Sequence, residues 1–119
     1  MPIHLIDIST NAAKPIERFS SSGAASVELA HGLGASHAYA IHFAPGGSIG
    51  PHPAGFDQLF LPAQGAGWIA GSDGVRRKID PKLGAFVPKG EVHSKGSEEG
   101  MIAVMFQAER LGLTGREAV

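Results

Sequence analysis

A chain of 119 residues, 43% hydrophobic and 18% charged, has the makeup of one soluble globular domain able to bury a single core. Its formal net charge of −1 offers no field to draw a nucleic acid or an anionic membrane, and no apolar run approaches the ~18 residues of a bilayer-spanning helix. Cysteine is absent, which excludes disulfides, thiolate ligands and a cysteine nucleophile; imidazole, carboxylate, amide and water remain as donors, a set suited to Fe, Mn, Ni, Zn or Cu.

In chain order, the first residues Met1 to Asp7 lack the basic start and long apolar stretch of a signal peptide, so a cytoplasmic location is expected. Residues 9–25 read as a loop or edge extension with room for one helical turn. Beyond them, glycine and proline punctuate short segments of strand character: Ser26 to Ala30, Ala38 to Phe43, Gln58 to Leu61, Trp68 to Ala70, Val75 to Ile79, Ala85 to Val87 and Met101 to Gln107. Ser72, Asp73 and Gly74 form a hairpin signal, because Asp-Gly accepts the positive φ angles of a tight turn. The polar stretch Glu109 to Val119 suits a short helix or a frayed tail. Many short strands without a sustained helical period predict an all-β sandwich or barrel, and with no internal repeat the whole of 1–119 reads as one domain.

Two histidine-bearing stretches flank the central hairpin. The first runs Gly47, Ser48, Ile49, Gly50, Pro51, His52, Pro53, Ala54, Gly55, Phe56, Asp57, Gln58, with Gly65 following after six intervening residues. The second runs Gly84 to Pro88, then Lys89, Gly90, Glu91, Val92 and His93. Together they resemble the two-part signature of the cupins, over a motif core of residues 45–97. That resemblance implies a cupin-type double-stranded β-helix, or jelly-roll, barrel. It also implies a divalent transition metal, which cupins usually hold through three histidines and a glutamate. Here Ala54 stands at the second histidine position and Gln58 at the glutamate position, which leaves His52, Gln58 and His93 as the implied metal ligands.

His42 is a candidate fourth ligand. Strand alternation puts it on one face with Ala38 and Ala40, opposite Tyr39, Ile41 and Phe43, and the small alanines would leave a cavity beside it; otherwise it is a solvent-facing or core histidine. His42 and Glu91 are the candidates for moving protons. Alternation turns Asp57 away from Gln58. His4, His31 and His37 read as surface residues, Trp68 and Phe60 as barrel filling, and Arg76, Arg77 and Lys78 as a solvated edge strand, with anion binding as the alternative. The resemblance therefore implies a small metal-binding cupin acting on a small polar organic molecule, as an oxygenase, isomerase or lyase. The alternative is a non-catalytic binding module for a sugar-like or acidic small molecule. It further implies a homodimer, since Leu59 and Leu61 make the face opposite Gln58 and Phe60 apolar.

Overall fold

The glycine and proline stops divide the chain into short extended segments, and a computed structural model describes their arrangement for residues 3–115 and 117. In chain order the strands are β1 (His4–Asp7), β2 (Lys14–Pro15), β3 (Ala25–Ser26), β4 (Ala30–Phe43), β5 (Ser48–Pro53), β6 (Asp57–Gly65), β7 (Gly67–Ala70), β8 (Arg76–Ile79), β9 (Leu83–Val87), β10 (Val92–Gly96) and β11 (Met101–Leu113). One antiparallel sheet has the order β1-β9-β6-β11-β4, a second has the order β5-β10-β7-β8, and β2 pairs with β3 in a short ribbon. From β4 onward the chain changes sheet at every connection except the β7–β8 hairpin. That crossing pattern is a jelly roll, the fold expected from the motif pair.

Alternation along the strands builds two apolar layers. Phe60, Ala85, Val87, Met101, Ala103 and Phe43 of the larger sheet meet Ile69 and Ile79 of the smaller one in the barrel interior. The opposite face of the larger sheet carries Ile6, Leu59, Phe86, Ala108 and Leu111, packed against Ile8, Leu29 and Leu113 of the same chain. The apolar outer face that Leu59 and Leu61 announce is thus covered in large part from within. Leu29 also accepts backbone hydrogen bonds from Thr114 and Gly115, at 3.0 and 2.8 Å.

Three expectations change. The segment 26–30 is split, with β3 ending at Ser26 and β4 beginning at Ala30. β4 starts eight residues before Ala38 because it pairs with β11 along its whole length, a partnership that lends strand structure to the poor strand former Gly32. Among the described residues the C-terminal stretch holds no helix: β11 continues to Leu113, and Glu117 makes an isolated bridge with Ile6. Positions 116, 118 and 119 of that stretch lie outside the described residues. Trp68, finally, does not fill the barrel. Ile69 takes the inward position, and Trp68 lies outside beneath the Arg76 guanidinium, 3.8 Å from its ring centroid.

Bulges adjust the sheets near the first motif. On β10, His93 is opposite His52 but Lys95 is opposite Ile49, so β5 holds one extra residue around Gly50 and Pro51. Pro51, which has no N–H to give to a ladder, is tolerated at such a bulge. A second extra residue falls in β4 between Leu33 and Ser36, where Gly34 adopts φ +83°.

Candidate functional site at the barrel mouth

Two rows of polar side chains face each other across the interior. In the larger sheet, His37, Gln107 and Gln58 are direct cross-strand neighbours on β4, β11 and β6, and so share one face. The next row along the barrel holds Tyr39, Met105, Phe60 and Ala85. In the smaller sheet, His52 of β5 is opposite His93 of β10, with ring centroids 4.6 Å apart. Lys95 follows His93 by two residues, so alternation sends both side chains inward. Its ammonium lies 3.4 Å from Gln58 Oε1, 3.9 Å from Met105 Sδ and 4.4 Å from the Phe60 ring centroid. This lysine ties the two rows together.

Burial governs the charge states. Lys95 is 2% exposed and His93 fully buried, whereas His52 is open at the rim. Desolvation draws Lys95 down from 10.5 to about 8, so at neutral pH it still carries its proton. His93 is lowered from 6.5 to about 4, first by burial and then by the neighbouring Lys95 charge, and is neutral. Its Nδ1 donates to the Glu91 carbonyl at 3.2 Å, as His52 Nδ1 donates to the Gly50 carbonyl at 2.8 Å. With Nδ1 holding the proton, Nε2 of each ring is left as a lone-pair acceptor. His93 Nε2 is buried and has no hydrogen-bond partner among the described residues.

β4 and β5 are edge strands of different sheets, which leaves the mouth open along their side. His37 and Tyr39, stacked at 6.3 Å, form its aromatic rim with Phe56, whose ring meets His37 edge-on at 5.5 Å. His37 is exposed, as read from the sequence, and its ring joins this rim. The alternation read for β4 is right, but the inward face is the one bearing Tyr39, Ile41 and Phe43, because those larger apolar groups take the interior.

Of the residues singled out from sequence, His52 and His93 stand ring to ring, and Gln58 meets the Lys95 ammonium two residues along β10 from His93. His42 joins neither: it is exposed on the outer face of β4, lining a groove of about 380 Å³ with Gln64, Glu99 and Met101. The Glu91 carboxylate lines a second groove with Arg77, where it accepts from Ser72 N at 3.4 Å, while its carbonyl accepts from His93 Nδ1. Asp57 is outside the mouth, as alternation indicates, and staples the barrel by accepting from Lys89 N at 2.7 Å and Leu111 N at 2.9 Å. Lys95 and Gln107 are the members that sequence reading missed. Lys95 carried a readable signal, its two-residue step from His93; Gln107 carried none, since only strand pairing brings it beside Gln58.

The donors present do not fit the divalent metal that the motif pair implies. Ala54, where a second histidine would sit, is buried in the apolar core. The amide oxygen of Gln58 is neutral and already faces the Lys95 ammonium. No cluster of three or more histidine or carboxylate residues forms among the described residues. Two imidazoles beside a protonated lysine supply no negative charge to offset a dication.

No protein-family model matches the chain, and no curated protein matches its sequence. Solved structures do match. A cupin superfamily protein from Desulfitobacterium hafniense DCB-2 is 20% identical over 82% of this chain and 92% of its own, with a TM-score of 0.58. A cupin 2 domain-containing protein from Halorhodospira halophila is 9% identical over 98% of this chain and 80% of its own, with a TM-score of 0.62. A DMSP lyase from Ruegeria pomeroyi DSS-3 is 13% identical over 92% of this chain, which spans 60% of the lyase's length, with a TM-score of 0.57. At these identities the likeness is one of fold: the chain is a small cupin-type jelly-roll domain.

Proposed function

We propose that this cupin-fold chain binds a small acidic molecule directly on protein groups at the barrel mouth, without a resident metal. The observation that carries the reading is Lys95, a buried ammonium for which no carboxylate lies within ion-pairing distance among the described residues. A buried, unpaired charge costs several kcal/mol, and a ligand carboxylate supplies the missing counter-charge. The test is thermal melting of chelator-treated protein against acetate, propionate and lactate, with and without Zn, Mn, Fe(II), Ni or Cu. A carboxylate present at 100 times its Kd adds about 2.7 kcal/mol of stability by mass action. Stabilisation by carboxylates in the chelated protein supports the reading; stabilisation that needs a metal overturns it.

A second reading rests on a different observation, the two Nε2 lone pairs presented by His52 and His93. On that reading the two imidazoles would hold a divalent ion in spite of the missing negative charge, and the ion would supply Lewis-acid chemistry toward a small polar molecule. Elemental analysis decides it: bound metal in the wild type, lost in His52→Ala and His93→Ala, favours this second reading over the first.

The chain is also proposed to form a homodimer, with β4 as the pairing edge. Its residues 31–40 are exposed, and Ala30–Phe43 contains no lysine, arginine, aspartate or glutamate to discourage strand addition. Light scattering after size-exclusion chromatography tests this, and a monomer at micromolar concentration overturns it.

A further inference from the structure

Resting on the acidic-ligand reading, we infer that the ligand is a small 2-hydroxycarboxylate, its carboxylate on Lys95 and its hydroxyl on His93. The inference comes from what the mouth lacks. Lys95 Nζ has three donors and no acceptor. Its neighbours are Gln58 Oε1 at 3.4 Å and the weak acceptor Met105 Sδ at 3.9 Å, which leaves it short of a strong anionic partner. His93 Nε2 presents the opposite deficit. Its ring donates from Nδ1 to the Glu91 carbonyl, so Nε2 accepts, and nothing in the described structure donates to it. His52 Nε2 is a second acceptor at the rim, on a ring 4.6 Å from that of His93.

A ligand complementary to both deficits carries an acceptor anion and a hydroxyl donor close together. A plain carboxylate satisfies Lys95 and leaves the buried His93 Nε2 unpaired. A neutral alcohol or sugar does the reverse. A dicarboxylate or a 2-oxo acid sets acceptor against acceptor at His93. Residues two apart on a strand send their side chains to one face, so Lys95 and His93 address the same side of the barrel. A 2-hydroxy acid places its two functions on adjacent carbons, so it meets both groups at once. The aromatic rim of His37, Tyr39 and Phe56 and the thioether of Met105 offer apolar contact to whatever substituent the 2-carbon bears.

Calorimetric titration of the chelator-treated full chain with lactate (each enantiomer), 2-fluoropropionate and propionate tests the inference. Fluorine keeps the size and the electronegative atom but removes the donor. One enantiomer of lactate is expected to bind at least ~10-fold more tightly than either analogue, the consequence of leaving a buried acceptor unpaired. Equal affinities for all three acids overturn the hydroxyl assignment and leave the acidic-ligand reading standing; no binding of any acid overturns both. His93→Phe is expected to erase the preference for lactate while keeping the affinity for propionate. A preference that survives in a cooperatively melting His93→Phe overturns the inference. Should that variant not fold, the wild-type ratio of lactate to propionate decides alone.

Discussion

Lys95 makes the mouth costly to fold, and the cost has a pH signature. Its folded pKa of about 8 lies below the ordinary 10.5, so between those values the unfolded chain holds the proton more firmly than the folded one. The unfolded state binds more protons there, and stability therefore rises with pH across that window, by roughly 3 kcal/mol in total. His93, lowered from 6.5 to about 4, acts at the acid end. The unfolded imidazole takes up a proton that the folded one refuses, so stability is lost as pH falls from about 6.5 to 4, again by roughly 3 kcal/mol. Urea denaturation from pH 4 to 10 should show both slopes. Lys95→Met should flatten the alkaline slope, raise stability at pH 7 by about 1–3 kcal/mol and abolish carboxylate binding; a variant less stable than wild type would show that Lys95 is already well satisfied.

At the level of elements, the mouth is assembled by register. The extra residue around Gly50 and Pro51 lets His52 stand opposite His93 while Lys95 falls opposite Ile49, so two neighbours on β10 meet β5 with different phase. The β6 strand ends at Gly65, whose φ of +78° favours glycine and whose added Cβ would collide with the Gly100 carbonyl. Gly65→Ala is expected to cost at least ~1 kcal/mol, measured as a lowered denaturation midpoint. β4 supplies the test of association. Ala38→Lys with Ala40→Lys places two charges on its outward face and should abolish the proposed β4 pairing, giving a monomer with little change in melting temperature. Persistence of a dimer in that double variant would move the interface elsewhere.

Considered as a whole, the barrel depends on interior side chains shared by both sheets. Phe60, fully buried, packs edge-on against Phe43 at 6.4 Å and lies beneath Lys95. Phe60→Ala should cost about 3–5 kcal/mol in chemical denaturation, and because the same ring shelters the ammonium it should weaken carboxylate binding too. Much of this architecture is legible in the chain itself. Short alternating segments, glycine and proline corners and the spacing of His52, Gln58 and His93 all act locally or through motif spacing, which is why they point to a cupin jelly roll. What sequence could not supply is the direction of a strand's two faces, which only the opposing layer decides. His42 therefore lies outside and His37 at the rim, although the alternation of β4 itself is plain. Gln107 becomes a neighbour of Gln58 by pairing across 49 positions of chain, and Lys95 becomes an unpaired charge only because the sheets close over it. Local chemistry chose the barrel; burial, a property of the closed sheets and of no single segment, made His93 and Lys95 the enclosed polar groups of its mouth.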